Sequence, residues 1–131
     1  MLKVLLVEDE NLIRRGLQYK MDWTEVNCVV VGEAATGQEG LAQIKALRPD
    51  IVITDIRMPD MDGLEVLDEL NKLEHRPKVL ILSSYIRSAA VETAAARGAD
   101  FYLTKPSRPS TVCERIRQMT SGGVELSLIH I

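Results

Sequence analysis

Five short runs of apolar residues, with no polar residues alternating between them, recur along the chain. They cover residues 4–7, 28–31, 51–53, 79–82 and 101–103. A strand that is buried on both faces has this pattern, and such burial is typical of parallel sheets. The pattern therefore predicts five central strands.

The segments between these runs carry apolar residues at helical spacing, which predicts helices that cover the sheet. The predicted buried faces are Leu12, Ile13, Gly16 and Leu17 in the first segment, Leu41, Ile44 and Leu47 in the second, Leu64, Leu67, Leu70 and Leu73 in the third, and Val112, Ile116 and Met119 in the fifth. Thr36 and Glu39 have the spacing of a capping box, in which two side chains satisfy free amides at a helix start.

The last two predicted helices differ in how they should be anchored. The fourth covers about residues 88–97, is rich in alanine, and has Val91 as its only large apolar residue, with Gly98 at the position of a C-cap. Ser107 can cap the fifth helix, which is expected to end near Thr120. We therefore expect the fourth helix to be held more weakly than the others.

Five strands that alternate with five helices predict a (βα)5 α/β fold with a doubly wound parallel sheet, because crossovers between parallel strands are nearly always right-handed. In such sheets, ligands bind beyond the carboxyl ends of the strands, where the strand order reverses. The residues that follow each strand are therefore the first candidates for a functional site.

Composition narrows the class of protein. The chain has 131 residues, 46% hydrophobic and 27% charged, which is the size of one globular domain. Its net charge of -3 argues against direct nucleic-acid binding. Cys28 and Cys113 do not have the paired spacing of metal ligands, which favours a reduced cytoplasmic protein. No apolar stretch approaches the roughly 18 residues of a membrane span, so no membrane association is expected.

Chemically active side chains follow four of the predicted strands. Glu8 and Asp9 come after the first strand, Asp55 after the third, Ser83 after the fourth and Lys105 after the fifth. Two carboxylates about 4 Å apart repel by roughly 4 kcal/mol at an effective dielectric near 20, so such a cluster takes up a proton or a cation. Oxygen ligands with room for water suit Mg²⁺, which often binds phosphoryl groups as well.

An aspartate at such a site can itself be the nucleophile of phosphoryl transfer. The product is an acyl phosphate, and a cation and an ammonium group neutralise the charge of the transferred group. Asp55 is the best placed nucleophile, with Glu8 and Asp9 near the ion. Lys105 and Ser83 can bind phosphoryl oxygens.

Four motifs in this order resemble the receiver domain of response regulators in bacterial two-component systems. They are LVEDE at residues 6–10, DIRMPDMDG at 55–63, LSSY at 82–85 and YLTKP at 102–106. The resemblance covers residues 1 to about 120 and implies a flavodoxin-like strand order 2-1-3-4-5. It implies that Asp55 is the phosphoacceptor and that Ser83 and Lys105 assist the phosphoryl transfer.

The same resemblance implies the remaining site residues and the partners. Mg²⁺ would be held by Glu8, Asp9, Asp55 and the backbone carbonyl of Arg57. Ser83 and Tyr102 would form the switch that responds to phosphorylation. A sensor histidine kinase would supply the phosphoryl group, and phosphorylation would promote a homodimer.

Within the family, Asp22-Trp23 together with residues 53–59 is similar to YesN-like regulators, which carry an AraC-type helix-turn-helix domain. We therefore expect a DNA-binding output domain in a longer protein, of which this chain would be the receiver part; a stand-alone receiver is the other interpretation. Residues 121–131 do not continue any expected helix and are interpreted as a disordered or vector-derived tail.

Two other functions remain open at this point. A haloacid-dehalogenase-like phosphatase also forms an aspartyl phosphate on a parallel sheet, but such enzymes have a second Asp two residues after the nucleophile, where this chain has Arg57. The chain is therefore expected to assist its own phosphotransfer and dephosphorylation without being a true enzyme. A receiver that acts as an interaction scaffold without phosphorylation is the other alternative.

Overall fold

The computed structural model describes residues 1–55, 63–83, 89–105 and 108–120, without the side chains of residues 63, 64, 83 and 89–91. The strands are β1 (Leu2–Val7), β2 (Cys28–Ala34), β3 (Ile51–Asp55), β4 (Lys78–Ser83) and β5 (Phe101–Thr104). The helices are α1 (Asn11–Lys20), α2 (Gly37–Leu47), α3 (Gly63–Leu70), α4 (Ala89–Ala96) and α5 (Pro109–Thr120), and a short 3-10 helix covers Trp23–Val26.

The five strands form one parallel sheet in the order β2-β1-β3-β4-β5. The predicted fold class and strand order are therefore confirmed. The prediction of five central strands is wrong for β2 and β5, which are the edges of the sheet. Val29 of β2 is 41% exposed, because an edge strand has a neighbour on only one side. Edge strands of this kind carry the same apolar run as central ones.

Alternate residues of the central strands enter two separate cores, one on each face of the sheet. Val4 and Leu6 of β1 pack with residues of α1 and α5, whereas Leu5 and Val7 pack with residues of α2, α3 and α4. On the second face α2 lies so close to the sheet that a Cβ at Gly40 would be 3.0 Å from both methyl groups of Val7. The close approach explains the glycine at this position.

The predicted helices are present, with several corrections to their buried faces and ends. Leu12 is 89% exposed, because the side of α1 that faces the sheet is centred on Ile13 and Leu17, one turn apart. Leu47 at the end of α2 is 36% exposed. Helix α3 ends at Leu70, so Leu73 lies in the following turn.

The predicted caps can be compared with the structure at three positions. The Thr36 hydroxyl accepts a hydrogen bond from the Glu39 amide at 3.1 Å, as the capping-box spacing predicts. Gly98 follows α4 with a φ of +102°, a left-handed conformation that glycine adopts without steric cost. Ser107, the predicted cap of α5, and the predicted tail at 121–131 lie outside the described residues.

In the described ranges, none of the helices combines the length and the apolar character that crossing a lipid bilayer requires.

Candidate functional site

Because all five strands are parallel, the carboxyl ends of β1, β3 and β5 lie at the same end of the sheet. Glu8 follows β1 directly, Asp55 is the last residue of β3, and Lys105 follows β5. The long side chain of Lys105 places its Nζ 2.5 Å from Glu8 Oε1 and 2.6 Å from Asp55 Oδ2. Residues that are 47 and 50 positions apart in sequence thus meet in one cluster, as the strand-end argument predicts.

Asp9 adds a third carboxylate to this cluster. Oxygen atoms of Glu8, Asp9 and Asp55 lie within 4.8 Å of one another. Glu8 is 2% exposed and Asp55 is 8% exposed, so water solvates these groups poorly. One ammonium group balances one of three carboxylate charges, which leaves two formal negative charges when all are ionised. A set of oxygen donors with this excess charge fits a hard divalent cation such as Mg²⁺.

Burial controls the electrostatics of the cluster. It raises the pKa of Glu8 from 4.5 to about 7, against the opposing hydrogen bonds from Lys105 and from the Glu10 amide at 3.1 Å. Burial on its own would lower the pKa of Lys105, but hydrogen bonds to Asp55 and Glu8 outweigh it and raise this pKa. A cation that binds near neutral pH therefore competes with a proton for Glu8.

Two residues at the site were not singled out by the sequence reasoning. Glu10 is exposed at the start of α1, and its Oε1 lies 3.4 Å from Lys105 Nζ. The Arg14 side chain is largely buried, and its Nη1 donates to the Glu8 carbonyl oxygen at 2.7 Å. Glu10 belongs to the LVEDE motif and could have been found there, whereas a contact to a backbone carbonyl leaves no signal in the sequence.

The sequence profile of the response regulator receiver domain matches residues 4–117. The chain belongs to this family. Its fold and its strand-end carboxylates and lysine agree with that membership, and the predicted resemblance is confirmed. The phosphatase alternative is not favoured by any of these observations.

Named relatives support the same family. The response regulator protein VraR of Staphylococcus aureus (strain NCTC 8325 / PS 47) is 34% identical over 121 residues, which cover 92% of this receiver domain and 57% of VraR. The chain thus spans a little more than half the length of the curated relatives it matches. These relatives do not test the similarity to YesN-like regulators, which stays a prediction.

Solved structures show the same domain. The REC domain of AraT, a response regulator from Geobacillus stearothermophilus, has a TM-score of 0.82 and 30% identity, and covers 92% of this chain and 95% of its own. A DNA-binding response regulator of the LuxR family from Staphylococcus aureus has a TM-score of 0.82 and 27% identity, and covers 90% and 98%.

The remaining predicted site residues of the receiver domain are only partly visible. Ser83 is the last residue of β4, beside Thr104 of β5, and its side chain is not described. Tyr102 packs against the core on the α2, α3 and α4 face, and within the described ranges its buried hydroxyl has no hydrogen-bond partner. Arg57 lies in the segment 56–62, outside the described residues.

Proposed function

We propose that this receiver domain is a phosphorylation-controlled switch in which Asp55 accepts a phosphoryl group from a sensor histidine kinase. The observation that carries the proposal is the position of Lys105 Nζ, 2.6 Å from Asp55 Oδ2 and 2.5 Å from Glu8 Oε1. This contact joins a nucleophile, a metal-binding carboxylate and a cation in one poorly solvated cluster. Such a cluster suits phosphoryl transfer, which depends mainly on positioning and charge neutralisation.

Mg²⁺ is the proposed cofactor, and Glu8, Asp9, Asp55 and the backbone carbonyl of Arg57 are the proposed ligands. Three of these offer carboxylate oxygens within 4.8 Å of one another, which supports the assignment. When bound, Mg²⁺ would supply positive charge to the oxygens of the transferred group. Glu8 must be ionised to bind the ion, so its raised pKa makes the affinity depend on pH.

The transfer step follows from the chemistry of the carboxylate. An Asp55 oxygen attacks phosphorus, the bond from phosphorus to the donor's imidazole nitrogen breaks, and the imidazole, which is protonated on its other ring nitrogen, leaves as a neutral group with the electron pair of that bond. The products are an aspartyl phosphate and an unmodified histidine. Lys105 contacts Asp55 before the reaction, and we propose that it then donates to a phosphoryl oxygen.

We further propose that Ser83 and Tyr102 convert this local change into a signal. The new phosphoryl oxygens are acceptors for the Ser83 hydroxyl, which draws the end of β4 toward Asp55. Within the described ranges, the buried hydroxyl of Tyr102 on β5 has no hydrogen-bond partner. A rotation of this side chain therefore breaks no hydrogen bond to a described residue. Helix α4 would move with these two residues.

The proposed output is control of transcription through a DNA-binding domain linked to this receiver in a longer protein. A relative of 27% identity is named a DNA-binding response regulator, which supports this output. The net charge of -3 makes direct nucleic-acid binding by the receiver itself unfavourable. Homodimer formation on phosphorylation is part of the same proposal.

We propose that the domain assists its own phosphorylation and dephosphorylation but does not turn over small phosphate esters. A phosphatase of the haloacid dehalogenase type needs an acid-base Asp two residues after the nucleophile, and this chain has Arg57 there. Without that group, attack of water on the aspartyl phosphate should be slow.

Intact mass spectrometry tests the proposal. Incubation with acetyl phosphate and Mg²⁺ should add one phosphoryl group to the wild-type protein and none to Asp55→Asn, and a chelator should prevent the addition. Asp68→Asn, which changes a half-exposed aspartate on α3, is the matched control and should be phosphorylated like wild type. Equal phosphorylation of the wild-type and Asp55→Asn proteins would disprove the assignment of Asp55.

A further inference from the structure

Arg14 uses all three nitrogens of its guanidinium group. Nη1 donates to the Glu8 carbonyl oxygen at 2.7 Å, Nε donates to Glu33 Oε1 at 3.1 Å, and Nη2 donates to Asn11 Oδ1 at 2.5 Å. The side chain is 14% exposed although Arg14 lies on α1, next to the exposed Arg15. A planar fork that is fixed at three points holds its partners in a defined geometry, which a lysine ammonium group would not reproduce.

The carbonyl held by Arg14 belongs to the peptide that joins Glu8 to Asp9, and both of these residues are proposed metal ligands. On the other side of Glu8, its amide donates to the Ala34 carbonyl of β2 at 2.9 Å. Glu33, the second partner of Arg14, is the neighbour of Ala34 on β2. Both peptide groups of Glu8 are therefore fixed to the same edge strand, one directly and one through Arg14.

We propose that Arg14 is a positioning residue for cation binding, which acts by fixing the Glu8–Asp9 peptide so that both carboxylates point to one ion. The inference rests on the proposed Mg²⁺ site and goes beyond it in assigning a role to Arg14 and Glu33. Neither residue needs to contact the ion. Residues that orient metal ligands in this way typically contribute about 10-fold to 100-fold to metal affinity.

The sign of the effect separates positioning from simple charge. Arg14 carries a positive charge close to the acidic cluster, so Coulomb repulsion alone predicts that its removal strengthens cation binding. Positioning predicts the opposite, since a free Glu8–Asp9 peptide must be ordered when the ion binds. It also predicts that Arg14→Lys, which keeps the charge but loses the fork, behaves like Arg14→Gln.

Isothermal titration calorimetry with Mg²⁺ tests the proposal on wild type, Arg14→Gln and Arg14→Lys at about pH 8, where Glu8 is mostly ionised. We expect both variants to bind Mg²⁺ about 10-fold more weakly or worse. Phosphorylation by acetyl phosphate should need correspondingly more Mg²⁺ for half its maximal rate. The maximal rate at saturating Mg²⁺ should stay near that of wild type, a split that a general loss of structure would not produce.

Two further variants make the result decisive. Arg15→Gln removes an exposed charge from the adjacent position and should bind Mg²⁺ like wild type. Glu33→Gln leaves Arg14 in place but weakens its contact with β2, and should lower the Mg²⁺ affinity by a smaller factor. If circular dichroism shows that the Arg14 variants are unfolded, the Mg²⁺ affinity of Glu33→Gln tests the proposal in their place. Unchanged or tighter Mg²⁺ binding by the folded Arg14 variants, or by Glu33→Gln in their place, would overturn the inference. Absence of Mg²⁺ binding by the wild-type protein would instead overturn the proposed metal site.

Discussion

Helices α4 and α5 lie on opposite faces of the sheet and are held in different ways. Helix α5 buries four apolar side chains, Val112, Cys113, Ile116 and Met119. In α4, where side chains are described for residues 92–96, Ala94 alone is buried. Burying a large apolar side chain contributes about 1.5–3 kcal/mol, and a single methyl group contributes about 0.8 kcal/mol. Helix α5 is therefore anchored more firmly in its core than the described part of α4 is in the other core.

Within the described ranges, polar contacts hold the two residues that follow the carboxyl end of α4. Asn71 Nδ2 donates to the Arg97 carbonyl at 2.6 Å, the Arg97 guanidinium pairs with Asp68 at 3.0 Å, and Arg76 donates to the Gly98 carbonyl. Helices with few buried apolar contacts are the ones that move at low cost. We therefore expect α4 to shift at lower cost than α5, with its carboxyl end as the more firmly held part.

The largest expected effect tests the apolar anchoring directly. Ile116→Ala removes a fully buried side chain of α5 and should lower the free energy of unfolding by about 2–5 kcal/mol. Ala94→Gly removes the one buried methyl group of the described part of α4 and should cost less, about 2 kcal/mol, of which about half is the lower helix propensity of glycine. Urea denaturation of both variants measures the difference. Equal losses would contradict the comparison between the two helices.

The second effect concerns the protonation of Glu8, whose carboxylate pairs with Lys105, the residue between β5 and α5. The pKa of Glu8 is about 7 in the folded protein and 4.5 without the fold, so the folded state binds this proton more tightly. The contribution of Glu8 to the free energy of unfolding therefore falls as the pH rises from 4.5 to 7, by up to roughly 3 kcal/mol.

Urea denaturation with a chelator present measures this effect as the difference between wild type and Glu8→Gln. We expect the variant to gain stability relative to wild type across this pH range, with the gain levelling off above pH 7. Amide exchange in α4 should show no corresponding pH-dependent difference between the two proteins. A difference that is constant from pH 4.5 to 7 would show that Glu8 has an ordinary pKa in the folded protein.

The smallest expected effect lies at the polar end of α4. Asn71→Ala removes the hydrogen bond to the Arg97 carbonyl and should lower stability by only about 0.5–1.5 kcal/mol. Hydrogen exchange should become faster at the amides of residues 97–99 and stay unchanged in α5. Lys72→Ala, at the neighbouring exposed position, is the control. Faster exchange in both helices would mean that α4 is not an independent unit.

The strands and their order follow from the sequence better than their exposure does. A continuous apolar run such as residues 51–53 has to be covered on both faces, which fixes a parallel sheet between two layers of helices. The run at 28–31 is just as apolar but lies at an edge of the sheet. The local sequence does not indicate how many neighbouring strands a strand has, so edge and central strands could not be distinguished. Leu12 fails for a related reason, since an apolar side chain on the surface is common and carries no pattern of its own.

The candidate site likewise contains residues that the sequence predicts and one, Arg14, that it does not. Glu8, Asp9, Asp55 and Lys105 could be placed together, since parallel strands deliver their following residues to one edge of the sheet. Arg14 could not be distinguished from Arg15, because its main contact is to a backbone carbonyl that any residue would offer. Only the helical phase of α1, with Ile13 and Leu17 facing the core, brings Arg14 next to the β1–α1 connection.

Because β1 contributes alternate residues to two cores, insertions and deletions in this strand are restricted during evolution. Leu5 and Val7 fill one compartment and Val4 and Leu6 the other, and Glu8 follows directly. Gain or loss of one residue within the strand would exchange the compartments and turn the carboxylate away from its companions. We therefore expect insertions and deletions in β1 to be selected against, whereas exchange of one aliphatic residue for another of similar volume should be tolerated.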